Sequence, residues 1–207
     1  MNDISLCMVT CKEQRDIARN IVETYHSYVP TFNSVGRRID WLIYYKDIII
    51  GMIGIGSSTY PASKSMLTYF NVTKDEYKKI FNNISNNWRF CLKESPVKNT
   101  GTIVLKLMRE NAKVEWEKKY GDELKYILTF VGGGNNGAVY KADNWELIGK
   151  TAGLPKHKSV SMKWHNKKEI KERYVKPTGE NKKLIFVKKL KKIPKLKKIN
   201  KIDSFFN

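Results

Sequence analysis

The chain is short of cysteine, of proline, of long apolar runs and of acidic residues, and each shortage closes off a class of protein. Cys7, Cys11 and Cys91 are its three cysteines, against six prolines in 207 residues. Their spacing does not repeat, and Cys7-x-x-x-Cys11 has no downstream CxxC or HxxxH partner, so no metal site is expected. Met1-Asn-Asp-Ile-Ser carries no basic segment leading into an apolar one. A secreted, disulfide-stapled protein is therefore not expected, and reduced thiols in the cytoplasm are. The longest apolar run, Ile48 to Ile55, is interrupted by glycines. It is too short to span a bilayer, and no membrane association is expected. No internal repeat is visible.

Acid is outnumbered by base, 20 Asp and Glu against 39 Lys and Arg, for a net charge of +19. Such a balance points to a polyanionic partner, nucleic acid first and an anionic surface second. A lysine bias in an AT-rich coding sequence stands as the plainer explanation. The excess is uneven. From Pro155 to Asn207 there are 18 basic residues against 4 acidic ones, +14 of the total. The division follows: a core over 1–153, and a basic region over 154–207 that adds one strand and a nucleic-acid-binding tail. Apolar and aromatic fractions of 41% and 12% suffice for a packed core.

Along the core, residues 3 to 9 read as a strand. Thr10 can cap a helix from Lys12 to about Tyr25, with Ile17, Ile21 and Val22 on one side. A polar, aromatic loop follows to Gly36. Arg38 to Tyr45 and Ile48 to Ser57, joined by Lys46-Asp47, form a hairpin of β-branched and aromatic arms. Glycines 51, 54 and 56 in it suggest a bulge or a close backbone approach. Tyr60 to Phe70 reads as an irregular connection. Thr73 caps a helix to about Ile84. Asn86 to Leu92 is a strand, and a helix runs from Thr100 towards Lys119, ended by Gly121. Leu124 to Val131 is a core strand. After a glycine-loosened loop come a short helix over Asn136 to Ala142, a strand over Trp145 to Gly149, and a last strand over Lys183 to Val187. The alternation makes a mixed α/β sheet with crossover helices. Two strand–turn–helix units, one opening near Lys98 and one near Asn136, can aim their helix N-termini at one place, a common way to hold a phosphate-bearing cofactor.

That order of elements resembles the GNAT, acetyltransferase-like fold. Asn136-Gly-Ala138-Val-Tyr140-Lys-Ala-Asp-Asn144-Trp145 resembles the family's Asn-x-x-Ala-x-x-x-Tyr segment, with Asn-Trp where the family has Gly-Phe. Val97-Lys98-Asn99-Thr100-Gly101 resembles a reduced form of its pyrophosphate-binding turn. Asn87-Trp-Arg89-Phe, Lys98-Asn99-Thr100 and Tyr140-Lys-Ala142-Asp-Asn144-Trp145 together resemble the phage Mom family of DNA-modifying proteins. They also resemble a related group that includes the A subunit of the Druantia defence system. What the resemblance implies is a transferase acting on adenine in double-stranded DNA. It would add a carbamoylmethyl-type group at N6 and so shield phage DNA from restriction, with acetyl-CoA or another acyl or aminoacyl donor. On that reading the chain works in the host cytoplasm. The rivals are a non-catalytic DNA-binding component that keeps the fold, and an ordinary acyl-CoA-dependent N-acetyltransferase.

The candidate site follows. His26 sits in a polar loop and suits a general base as well as a structural role. By the same resemblance Tyr140 supplies a proton to a leaving group, packing under the cofactor site being the plainer role, and Asp40 and Asp143 are the acids to be checked near the site, Asp40 as a catalytic candidate. Arg89 pairs with Asp40 or holds a phosphate. Val97, Lys98, Asn99, Thr100, Gly101, Asn136 and Asn144 are the other cofactor candidates, although Asn99 and Thr100 also suit a plain helix start. For nucleic acid the candidates are Tyr28, Arg37, Arg38, Lys156, Lys158, Lys163, Lys188, Lys189, Lys191 and Lys192. Such an enzyme extrudes the base into a pocket and holds the backbone electrostatically.

Overall fold

A computed structural model describes residues 3–27, 31–153 and 181–191. Tyr28, Lys156, Lys158, Lys163 and Lys192 lie outside these. Seven strands form one sheet: β1 (Ile4–Met8), β2 (Arg38–Tyr45), β3 (Ile48–Ser57), β4 (Ile84–Leu92), β5 (Tyr126–Val131), β6 (Glu146–Lys150) and β7 (Leu184–Lys189). Their order is β1-β2-β3-β4-β5-β7-β6, and every pairing is antiparallel except β4 with β5. β7 is an interior strand with Ile185, Phe186 and Val187 buried. The folded core therefore extends past residue 153.

Two layers of helix cover the sheet. On one face lie α4 (Thr100–Tyr120) and α5 (Ala138–Ala142), packed on Trp41, Ile53, Ile127 and Phe186. On the other lie α1 (Lys12–Tyr25), over Leu42, Met52 and Cys91, and the pair α2 (Lys64–Phe70) and α3 (Lys74–Ile80), over Leu128 and Ile185. Successive strand residues point to opposite faces, so Trp41 and Leu42, or Ile127 and Leu128, serve different helices.

Several boundaries differ from the sequence reading, each for a local reason. The helix start after β1 is capped at Cys11, because the Gln14 side chain accepts from the backbone of Thr10 and of Cys11. Ala18, Ile21 and Val22 face the sheet, whereas Ile17 is exposed. Residues 64–70 are helical, since Ser63 accepts from the Met66 amide and Asn71 closes the turn in the left-handed region. α3 has the Thr73–Glu76 capping box but yields to a 3-10 turn, Phe81–Asn83, so β4 begins at Ile84. α4 runs unbroken to Gly121. α5 begins at Ala138, because Asn136 is occupied as a cap on the Ala138 amide.

Two hairpin glycines are set by close approach. A Cβ on Gly51 would meet Cys91 O at 2.3 Å, and one on Gly54 would meet Asp40 Oδ1 at 2.2 Å. The second matters because the Trp88 indole donates to Asp40 across Gly54. Trp88 is the extra residue of a bulge, Gly54 pairing Arg89 and Ile55 pairing Asn87.

Candidate active site

Parallel pairing between β4 and β5 covers three positions, ending at Asn86 with Leu128. Beyond it β4 continues to Leu92 and β5 to Val131 without pairing each other, and the sheet opens. The opening is a cleft of about 390 Å³. Its walls are β4 from Asn87 to Leu92, β5 from Thr129, the end of α1 with His26, and the start of α5 with Tyr140. Because α1 and α5 lie on opposite faces, the cleft is lined from both sides of the sheet. Where the strands part, Ser85 Oγ and Asn86 Oδ1 are buried without a hydrogen-bond partner among the described residues.

His26 and Tyr140 are thus brought to one cleft. His26 follows the last residue of α1, its N–H bonded to Val22 O. Burial, with Arg89 and Lys183 nearby, pulls the imidazole down to about 4, so it is neutral at pH 7. Tyr140 is buried, its ring edge-on to Trp145 and stacked on Phe186. Its hydroxyl donates to Asn87 Oδ1 at 2.8 Å. The direction follows from Asn87 itself, whose amide nitrogen donates to the carbonyls of Gly54 and Arg89 and so leaves its oxygen as the acceptor. The sequence reading quoted Asn87 but gave it no role, since a strand asparagine carries no signal of what it will meet.

The other candidates are placed elsewhere or hold structure. Asp40 does not line the cleft. It binds Arg38 Nε and the Trp88 indole, and burial raises its carboxyl. The expected pairing of Arg89 with Asp40 is accordingly absent: Arg89 donates to Thr31 O and Trp88 O, tying the loop before β2 to β4. Arg38 is sandwiched between Phe32 and Trp88, 4.0 Å from each ring. Arg37 pairs with Asp122. Lys188 caps the carbonyls of Asp143 and Asn144. Asn144 is a left-handed turn residue rather than a cleft residue. Lys189 and Lys191 are exposed.

The turn before α4 closes on itself. Thr100 Oγ1 donates to Val97 O, and the Val97 amide points back to Thr100 Oγ1. Gly101 sits against Val139, where a Cβ would come within 2.6 Å of Cγ2. Lys98 and Asn99 are exposed there, Asn99 in the left-handed region. An acyl donor therefore fits in part. None of Val97 to Gly101 lines the cleft, and the turn offers a pyrophosphate the exposed Lys98 and Asn99 rather than a glycine cradle.

A family model, Druantia protein DruA, matches residues 2–194. No curated protein matches the chain. Among solved structures it is similar to FeeM, an N-acyl amino acid synthase from uncultured soil microbes, with a TM-score of 0.52 at 13% identity over 90% of this chain and 92% of that one. It is also similar to an acetyltransferase from Thermus thermophilus, with a TM-score of 0.50 at 12% identity over 90% and 97% of the two chains. Likeness at such identities is one of fold, and the fold is that of the GNAT acetyltransferases.

Proposed function

This chain belongs to the Druantia protein DruA family, and from that premise we propose that it is a DNA-modifying transferase whose acceptor is the exocyclic amine of adenine. One observation carries the reading: a neutral imidazole and a fixed tyrosine hydroxyl face one cleft that opens through a GNAT sheet. An exocyclic amine is a poor nucleophile until its proton has somewhere to go. His26 Nδ1 or Nε2 accepts that proton, and a base that is neutral at pH 7 is available to do so. Asn87 holds Tyr140 in one orientation, so its oxygen is a preset polar contact at the reacting end. Acetyl-CoA, or another acyl or aminoacyl donor, would supply an acyl carbon to the amine, the bond to the donor's sulfur or oxygen breaking and that atom taking up the proton, and Lys98 and Asn99 are the exposed residues that would hold an anionic end. Such a transfer leaves an amide at adenine N6, whereas the carbamoylmethyl-type group carried over from the Mom resemblance is bonded to N6 through a CH2 carbon and would need a donor that delivers that carbon with a leaving group on it. Exposed Lys189 and Lys191 suit contact with the DNA backbone.

The deciding measurement is mass spectrometry of nucleosides from DNA co-expressed with the protein, with Tyr140→Phe and His26→Gln alongside. A modified deoxyadenosine is expected with the unaltered chain and is lost or much reduced with either variant. An unmodified nucleoside profile sinks the reading. A second reading, a DNA-binding component of a defence system without catalysis, is favoured by the turn that closes between Val97 and Thr100. It expects no heat with acetyl-CoA by calorimetry, with DNA binding retained.

A further inference from the structure

The loop between β5 and α5, Gly132-Gly-Gly-Asn135-Asn136-Gly137, brings two consecutive asparagines to the cleft wall. The chain is pinned there. The Asn135 backbone amide donates to Gly132 O, closing a turn through the left-handed Gly133 and Gly134. Gly137 lies on Phe186 of β7, whose ring a Cβ would meet at 2.4 Å. Each asparagine side chain is turned one way by a bond of its own. Asn135 Nδ2 donates to Gly132 O at 3.1 Å, and Asn136 Oδ1 accepts from the Ala138 amide at 3.0 Å. An amide tied by its nitrogen presents its oxygen, and one tied by its oxygen presents its nitrogen. Side by side, the two offer one acceptor and one donor.

We propose that Asn135 and Asn136 read the edge of the acceptor base: Asn135 Oδ1 accepts from the exocyclic amine, and Asn136 Nδ2 donates to the ring nitrogen beside it. The proposal rests on the transferase reading for the entry of a base into the cleft, while the binding that tests it needs no turnover. Asn136, a cofactor candidate by its sequence, is a base contact on this assignment.

The order of acceptor and donor decides which bases fit. Adenine presents its N6 amine beside the acceptor N1, and cytosine its N4 amine beside N3. Guanine and thymine present the reverse, a carbonyl oxygen beside a ring N–H, so oxygen would face oxygen and N–H would face N–H. A site built for one order rejects the other, because its own polar groups are left unpaired. The amine carries two hydrogens, so Asn135 holds one while the other leaves. A cleft of about 390 Å³ falls in the range usual for small ligands, roughly 300–1,000 Å³. Tyr25, at the end of α1, lines the same cleft with 53% of its surface exposed and offers a ring for stacking. Trp88 does not, since Arg38 and Arg89 already lie over its ring, 4.0 and 4.8 Å from the centroid.

The test is an NMR titration of the full chain, following the backbone amides of residues 132–137. The probes are deoxyadenosine, deoxycytidine and deoxyinosine, all uncharged, so the basic region adds no unspecific binding. Deoxyinosine keeps the purine and reverses the edge, with O6 as acceptor and N1–H as donor. The expected result is that deoxyadenosine binds about tenfold more tightly than deoxyinosine. Asn136→Asp keeps the oxygen that caps Ala138 and loses the donor. The native spectrum is therefore retained, and the preference vanishes or reverses. Tyr25→Ala weakens both purines about tenfold and leaves their ratio unchanged. Deoxycytidine bound as tightly as deoxyadenosine supports the edge reading and admits cytosine as the acceptor. If deoxyinosine matches deoxyadenosine in the parent, if the preference survives Asn136→Asp, or if no nucleoside shifts the loop, the assignment is refuted. Unmodified DNA beside a standing preference counts against the transferase reading alone.

Discussion

Tyr140 and Asn87 are joined by a hydrogen bond from the phenol to Oδ1, 2.8 Å long and buried. It ties α5, on one face, to the strand β4 at the point where the sheet opens. Tyr140→Phe keeps the ring against Trp145 and Phe186 but leaves a buried oxygen short of this donor. A loss of about 1–3 kcal/mol in unfolding free energy is expected. Asn87→Ala should lose more, since the carbonyls of Gly54 and Arg89 also lose their donor. Urea unfolding of both variants checks the order. Equal stability of Tyr140→Phe and the parent would mean that the oxygen finds another donor.

Gly54→Ala is expected to be severe for so small a change. The new methyl would meet Asp40 Oδ1 at 2.2 Å and Trp88 Nε1 at 2.5 Å, so it sits on the hydrogen bond between them. Neither atom is the end of a long flexible chain, and Asp40 is also held by Arg38. Separating the pair leaves a buried carboxylate oxygen without its indole donor, at a cost of about 2 kcal/mol or more. Thermal unfolding and the exposure of Trp88 by fluorescence report it. Gly56→Ala is the internal control, since its nearest neighbour would be 3.1 Å away.

The fold was largely legible, from composition and periodicity. β-Branched and aromatic arms about the tight Lys46-Asp47 turn gave the hairpin to the residue, and the helical spacing of Ile103, Val104, Leu107 and Met108 gave α4. Short elements were not. Residues 64–70 make under two turns and are held by Ser63 and a tertiary face, which a local pattern cannot display. His26 and Tyr140, which a polar loop and a recurrent segment mark out by residue type, line one cleft. The site was not legible where the decision is between two partners. Arg89 turned to backbone carbonyls and Asp40 to Arg38 because a bulge rotates Trp88 between them. Glycines 51, 54 and 56 pointed to a bulge or a close approach, and both are found at Gly54, but they do not say which residue of β4 is left unpaired.

Acid should weaken the protein through His26. The imidazole has its ordinary value of 6.5 in the unfolded chain and about 4 when folded. Between those values the unfolded chain binds a proton that the native one does not, so unfolding gains as the pH falls through the window. Above 6.5 His26 adds no pH dependence, and below about 4 its effect is complete. His26→Gln should therefore flatten part of the fall in Tm between pH 7 and 4.5, read by differential scanning calorimetry at matched salt. An identical fall in the two proteins would show that other groups carry it.

Asp143 gives the last prediction, and it concerns the turn that holds Tyr140 rather than the cleft. Its carboxylate pairs with Arg109 of α4 and accepts from the Trp145 indole at 2.8 Å, while its carbonyl accepts from Lys188. Arg109 and Asp143 are both largely buried, at 17% and 10% side-chain exposure. Removing the acid strands a guanidinium in a site where burial already disfavours its charge. Asp143→Asn should cost about 3 kcal/mol, at the lower end for breaking a buried pair. Arg109→Met alone should cost less, because the carboxylate keeps its indole donor. The double variant should recover part of the Asp143→Asn loss, since no uncompensated charge is left. A double-mutant cycle by urea unfolding measures the coupling. Strictly additive losses would mean that the pair is solvated, and that α5 is held by Trp145 and Lys188 instead.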